Sequence, residues 1–197
     1  MKQFLKIADQ LDVNPLLSQL DAHPELWNAH EGRRHHEGSS HGETSDIWVR
    51  YNDFTRARGE THRERMLSLT HEHVPVWYPA WEVLPALHPI VFDLMAAVQG
   101  EMLGGVLMTK VPPGGRILPH ADTGWHVEYY DKFYVGLQSA PGADFICEDG
   151  AETERINIRP GEIWLFDNRK VHSVENDSDI DRITLIVCIR TQMFGRA

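Results

Sequence analysis

Cysteine is nearly absent from this chain. Cys147 and Cys188 are the only two in 197 residues, too few for a disulfide framework, and both lie in apolar, strand-like runs that suit buried structural thiols. Positive charge is in deficit as well. The 19 Lys and Arg face 29 Asp and Glu, a formal net charge of -10. That balance argues against a nucleic-acid phosphate backbone or an anionic membrane as the main partner, because both select for surplus Lys and Arg. Long apolar runs are missing too: no window approaches the roughly 18 to 20 apolar residues of a membrane span. The opening MKQFLKIADQLDVNPLLSQL has too many acids and too short an apolar stretch for a secretory signal. These absences, with no internal repeat or low-complexity tract, predict a soluble cytoplasmic protein.

Histidine, by contrast, is plentiful, at 12 residues. A His followed two places later by an acid is expected about twice by chance on a simple match count, and six such pairs occur: His23/Glu25, His35/Glu37, His41/Glu43, His62/Glu64, His120/Asp122 and His126/Glu128. On an extended strand each pair would put an imidazole and a carboxylate on one face, two thirds of a metal site. Spacing alone cannot choose among them. The pair in PPGGRILPHAD, His120/Asp122, stands at the end of a short β-like run that follows a Pro-Gly-Gly turn signal.

The length suits one domain with a substantial core. Residues 1–197 read as a single domain, with 1–100 an N-terminal extension of helices and substrate-side loops and 101–190 a strand-rich core. Phe4, Leu5 and Ile7 suggest a first strand, and Asn14-Pro15 opens a short helix whose Leu16, Leu17 and Leu20 share a face. The polar run from Asn28 to Ser45, carrying His30, His35, His36 and His41, reads as a long loop, either solvated, substrate-facing or metal-binding. In DIWVRY, alternation puts Ile47, Val49 and Tyr51 on one strand face and Trp48 and Arg50 on the other. Arg50 is a candidate for an anionic substrate group, with a surface ion pair as the alternative. Residues 55 to 73, including the His71/His73 pair, read as a polar exposed segment. Leu84 to Gln99 has helical spacing and ends at Gly100.

Beyond Gly100, strands are predicted near 103–111, 116–120, 132–139, 143–148, 153–158, 162–166, 171–175 and 182–190, with Pro-Gly turns at 113–114, 141–142 and 160–161. Eight short strands suggest a sandwich or small barrel of two sheets, and helices in the first half make the class α+β, mainly β, with the helices buttressing one face. His172 opens the seventh of these strands. Opposite His120 and Asp122 it would complete a two-His-one-carboxylate triad, which leaves three adjacent positions open on an octahedral ion and suits non-haem Fe(II). Ten residues on, Arg182 opens the apolar strand RITLIVCIR, where a charge is costly unless it meets a carboxylate, from protein or from a ligand.

His-x-Asp, a distal His and an Arg ten positions later, laid over eight short strands, resemble the 2-oxoglutarate and Fe(II)-dependent dioxygenases with a double-stranded β-helix (jelly-roll, cupin-like) fold. The runs HADTGWHVEYYDKFYVGLQSA, PGEIWLFDNRKVHSVEN and RITLIVCIR resemble the aspartyl/asparaginyl β-hydroxylase branch over about residues 103 to 190. The resemblance implies His120, Asp122 and His172 as iron ligands and Arg182 as anchor for the distal carboxylate of 2-oxoglutarate. Lys132 and Tyr134, in KFYVGL, are implied at its other end. Some members of the branch have a small residue where this chain has Asp122, so peptide β-hydroxylation does not follow automatically, and hydroxylases of free amino acids resemble the pattern too. The implied reaction consumes O₂ and 2-oxoglutarate, releases succinate and CO₂, and turns a C–H of an amino-acid or peptide substrate into C–OH.

Several positions remain open between function and packing. Trp164 and Phe166 either adjoin the site or simply fill the core. Trp125, His126 and Tyr129, in a stretch read as an aromatic loop, either close over substrate or pack the loop down. Two other readings compete with an oxygenase. One is a cupin-type protein that binds a metal or a small ligand without 2-oxoglutarate, in which His172 followed by Asn176 partly resembles a cupin second motif and His126 with Glu128 would supply extra ligands. The other is a non-catalytic interaction domain.

Overall fold

The alternating pattern beyond Gly100 produces all eight of the strands it predicts. The computed structural model describes residues 3–34, 38–69, 72, 75–150 and 152–192. Its elements are β1 (Phe4–Ala8), α1 (Asn14–Ala22), β2 (Ser45–Asn52), α2 (His62–Ser68), β3 (Pro75–Trp77), α3 (Ala80–Val83), α4 (Leu87–Ala97), β4 (Met102–Val111), β5 (Arg116–His120), α5 (Trp125–Tyr129), β6 (Asp131–Gln138), β7 (Ala143–Asp149), β8 (Glu152–Ile156), β9 (Ile163–Phe166), β10 (Val171–Asn176) and β11 (Arg182–Arg190). The strands form a seven-stranded sheet in the order β1-β9-β6-β11-β4-β2-β3 and a four-stranded sheet in the order β5-β10-β7-β8. Every pairing is antiparallel. Two facing antiparallel sheets make a jelly roll.

Strand alternation divides the larger sheet between two cores. Phe133, Val135 and Leu137 of β6, with Ile183, Leu185, Val187 and Ile189 of β11, face a cluster built with Leu16 and Leu20 of α1 and Leu87, Ile90, Val91 and Leu94 of α4. This is the expected helical buttress. The intervening residues face the smaller sheet, where Phe4, Tyr134, Phe145, Phe166 and Val174 form a second cluster. At the Pro-Gly turns, Gly114, Gly142 and Gly161 take φ of 75°, 95° and 81°, the left-handed position that a type II turn needs.

The first hundred residues contribute strands as well as helices: β1 forms one edge of the larger sheet, and β2 and β3 the other. Three local expectations change. In β2, Val49 is an extra residue between the Trp48–Leu107 and Arg50–Val106 pairs, and this bulge breaks the alternation. Ile47 and Val49 face the helices, but Tyr51 turns toward Trp48, with ring centroids 4.6 Å apart, and lines the central cavity. The charged stretch after residue 55 contains α2, whose start is a capping box. Thr61 Oγ1 accepts from the Glu64 amide at 3.2 Å, and the Glu64 carboxylate accepts from the amides of Thr61 and Glu60 at 3.0 and 2.9 Å, satisfying donors that the first turn leaves over. The aromatic stretch after Gly124 forms α5 rather than a loop.

The last turn of α4 also ends differently from expectation. Gln99, not Gly100, takes the left-handed conformation, at φ 52°. The bonds Gly100 N to Met95 O (2.8 Å) and Gln99 N to Ala96 O (3.2 Å) make a Schellman closure around it. Gly100 serves close packing: a Cβ there would stand 2.5 Å from Ile189 Cγ2. His35, His36, His71 and His73 lie outside the described residues.

Candidate metal and cosubstrate site

Two strands of the smaller sheet bring the histidines together. His172 on β10 pairs directly with His120 on β5, and their ring centroids are 4.4 Å apart. Regular alternation would not do this. Val174 pairs with Ile117, so Leu118 and Pro119 together oppose Ser173. This bulge turns His120 onto the inner face beside Ile117, and a proline, having no N–H, is tolerated there. The Nδ1 atoms of His120 and His172 lie 2.8 and 2.9 Å from the carbonyls of Leu118 and Lys170. A carbonyl can only accept, so each Nδ1 carries the proton and each Nε2 keeps its lone pair for a metal. Burial holds the His172 imidazole down to a pKa of about 4, and it is therefore neutral near pH 7.

Asp122 lies just past the end of β5, its Oδ1 3.6 Å from His120 Nε2. Its other oxygen accepts hydrogen bonds from Lys132 Nζ and, at 2.6 Å, from Asn168 Nδ2. The Asn168 carbonyl accepts the Asp122 amide at 2.9 Å. Burial alone would raise the carboxyl pKa; the charges of Lys132 and His172, with the hydrogen bonds from Lys132 and Asn168, outweigh it and hold the pKa well below the usual carboxylate range. One oxygen is thus fixed by protein while the other faces the histidines. Among the described residues, His120, Asp122 and His172 are the one group of three or more His, Cys, Asp or Glu placed to hold a metal ion, their ligand atoms all within 4.8 Å of one another.

Arg182 starts β11 on the same inner face, with Thr184 and Ile186 at the next two inward positions. It is 3% exposed. Its Nε has no hydrogen-bond partner, and its guanidinium rests over the Phe145 ring at 6.0 Å. Burial lowers its pKa to about 10, so it remains cationic. Tyr134 and Lys132, neighbours on the inner face of β6, line the same inner pocket together with His120, Asp122 and His172. This pocket adjoins a wider cavity of about 450 Å³, at the scale of small-molecule sites.

His126 lines the wider cavity, while Trp125 packs on Tyr129 at 5.6 Å and is not among the lining residues. Arg50 is not among them either. Its Nη1 donates to the Pro75 carbonyl at 2.9 Å, and its guanidinium lies 5.1 Å from the Trp77 ring. Phe166 belongs to both alternatives left open for it, fully buried in the second core and 5.2 Å from the His172 ring. Trp164 is partly buried, its Nε1 donating to Glu162 at 2.9 Å.

The other His-x-acid pairs have other tasks. His23 bonds Glu25 at the surface, Glu43 accepts the Arg116 amide, Glu64 caps α2, and Glu128 pairs with Arg169. The His35/Glu37 pair is outside the described residues. Asn176, part of the cupin-like motif, spends its amide on the carbonyls of Val111 and Ile180, both at 2.9 Å.

Sequence reasoning missed Arg33, Asn168 and Thr184. Arg33 enters from the loop that ends at Ser45, as does His41, which the substrate-facing reading of that loop includes and which sits edge-on to His120 at 4.9 Å. Of the three, only Thr184 carried a sequence signal for the site, two places from Arg182 on one strand face.

Residues 77–191 match the family model for aspartyl/asparaginyl beta-hydroxylases. The chain belongs to this family. A curated relative, L-proline cis-3-hydroxylase 2 of a Streptomyces species, is 36% identical over 74 residues, which are 36% of this chain and 24% of the relative. The chain therefore matches about a quarter of that relative's length. Among solved structures, the non-haem α-ketoglutarate-dependent epimerase SnoN from nogalamycin biosynthesis superposes with a TM-score of 0.58 at 13% identity, over 96% of this chain and 78% of its own. A Trichoplax adhaerens prolyl hydroxylase, in complex with a peptide fragment of the hypoxia inducible factor oxygen degradation domain, gives 0.54 at 13% identity over 98% and 85%. These two likenesses establish the shared jelly-roll fold of this β-hydroxylase family member.

Proposed function

We propose that this β-hydroxylase family protein is an Fe(II)- and 2-oxoglutarate-dependent dioxygenase that hydroxylates an amino-acid or peptide side chain. The observation that carries the reading is Arg182, a buried guanidinium with an unpaired Nε opening into the pocket that also holds the two histidines and Asp122. A buried, unmatched cation of this planar shape calls for a carboxylate. The distal carboxylate of a cosubstrate meets that need.

The donor set fits the metal: two imidazoles whose Nδ1 atoms are held by backbone carbonyls and one carboxylate oxygen suit Fe(II) with positions left open. His120 Nε2, His172 Nε2 and Asp122 Oδ1 would hold it. Arg182 would hold the distal carboxylate of 2-oxoglutarate, and Lys132 and Tyr134, which line the same pocket, would stand toward its other end. When bound, the iron and 2-oxoglutarate supply the oxidising chemistry, in which O₂ is consumed, succinate and CO₂ leave, and a substrate C–H becomes C–OH.

The protein's own part is positioning. Lys132 and Asn168 fix Asp122 so that only one oxygen is offered to the metal, the carbonyls of Leu118 and Lys170 set both imidazole tautomers, and Phe145, Ile117, Val174 and Ile186 keep water from the inner pocket. His126, Tyr51 and Tyr130, around the wider cavity, face the substrate. Two buried free thiols suit a reducing compartment, and we assign the protein to the cytoplasm. No helix among the described residues is long and apolar enough to cross a membrane.

Anaerobic addition of Fe(II) and 2-oxoglutarate should produce the visible charge-transfer band of bidentate chelation. Arg182→Ala should abolish the band and succinate formation while leaving Fe(II) binding, measured by metal analysis after dialysis, largely intact. An unchanged band in Arg182→Ala would remove the residue from the site.

A further inference from the structure

We propose that Arg33 is a substrate-binding residue, anchoring a carboxylate of a small, free amino-acid substrate in the wider cavity; the inference rests on the dioxygenase reading above. Arg33 belongs to the stretch between α1 and β2, and both ends of that stretch are pinned. Asn28 exchanges hydrogen bonds with Asp46, its N donating to Asp46 O at 2.9 Å and its Oδ1 accepting from Asp46 N at 3.2 Å. Ser40 O accepts from Leu118 N at 3.0 Å, and Glu43 accepts from Arg116 N at 2.7 Å. Residues 40–43 are thereby laid along β5 beside the metal site, and Arg33 lines both the inner pocket and the wider cavity.

The guanidinium is held by one corner. Nη1 donates to Asp46 Oδ2 at 3.1 Å and to Thr109 Oγ1 at 3.3 Å, while Asp46 Oδ1 is taken by the Thr109 hydroxyl at 2.8 Å. Among the described residues, neither Nε nor Nη2 has an acceptor. A purely structural Arg–Asp pair favours the two-nitrogen fork. Here Asp46 and Thr109 orient the group and leave the rest of the fork to a ligand.

The charges point to the same kind of ligand. A divalent metal and a doubly anionic cosubstrate cancel each other, so the side chains decide the balance. Arg33, Lys132 and Arg182 are opposed by Asp122 and by Asp46 behind Arg33, so the site as a whole keeps one positive charge. One substrate carboxylate would neutralise it, and Arg33, held by a single nitrogen, has donors left to bind that carboxylate.

The test pairs each member of a panel of free L-amino acids with its α-carboxamide. Binding is read anaerobically as perturbation of the Fe(II)–2-oxoglutarate absorption band, and turnover as succinate formation. A site built around a charged donor should prefer an acid to its amide by about 100-fold or more. Arg33→Gln should reduce that preference below about ten-fold while the band itself still forms. Because Arg33→Gln leaves Asp46 buried and unpaired, the double variant Arg33→Gln/Asp46→Asn, checked by thermal melting, repeats the measurement with that charge removed. Equal use of acid and amide by the native protein, an undiminished preference in both variants, or a native band that no amino acid perturbs would each overturn the assignment. Failure of the band to form in the native protein would instead overturn the dioxygenase reading on which it rests.

Discussion

Asp122 shows how much the surroundings decide about a single carboxylate. A carboxylate two positions after a histidine occurs in five other pairs of this chain, all of them with Glu. What sets it apart is Lys132 and Asn168 on one oxygen, with the histidines facing the other. A graded series follows from that geometry. Asp122→Gly should abolish metal-dependent turnover, and undiminished turnover would show that the carboxylate is not a required ligand. Asn168→Ala removes only a hydrogen bond that orients the ligand, so Fe(II) affinity should fall by about 10–100-fold, measured by competition with a chromophoric chelator. No local pattern announces this role of Asn168, because its partner is 46 residues away.

At the scale of elements, the strands were legible because each carries its own alternation, and the Pro-Gly turns because each needs its own φ. The departures are bulges and short helices. Nothing in RILPH announces that Leu118 and Pro119 share one partner, yet that extra residue aims His120 inward. Deleting Pro119 would place His120 two residues after Ile117, on the same face by simple alternation and still opposite His172. Metal stoichiometry should then be retained, with the far-ultraviolet circular dichroism near native; a stoichiometry near zero would show that the bulge itself is needed to aim the ligand. Helix α2 is signalled by Thr61-x-x-Glu64, a local capping pattern that lies within a run whose charges and histidines read as exposed. Helix α5 is only five residues long, too short for periodicity to register.

At the scale of the whole molecule, β1 closes the core beneath the site. Phe4 reaches it from 141 residues away, stacking on Phe166 at 4.9 Å and meeting Phe145 at 5.1 Å, and both of those rings touch His172. Phe4→Ala should therefore cost about 3–5 kcal/mol of stability, read from the denaturant midpoint. It should also weaken metal binding, since the wall behind His172 is loosened. A loss under about 1 kcal/mol would show that the edge strand is not integral to the fold.

By itself the sequence determined the class, the eight core strands, the helical buttress, and the order of His120, Asp122, His172 and Arg182 along the chain. These rest on local physics: side-chain alternation, turn stereochemistry, and the cost of a guanidinium in an apolar strand. Only the tertiary structure decided that Arg33 and His41 reach the cavity, that Lys132 and Asn168 hold Asp122, that Arg50 goes to Pro75 and Trp77, and that β1 seals the core. Each of these is a meeting of residues distant in the chain, and burial enforces such meetings only once both sheets are in place.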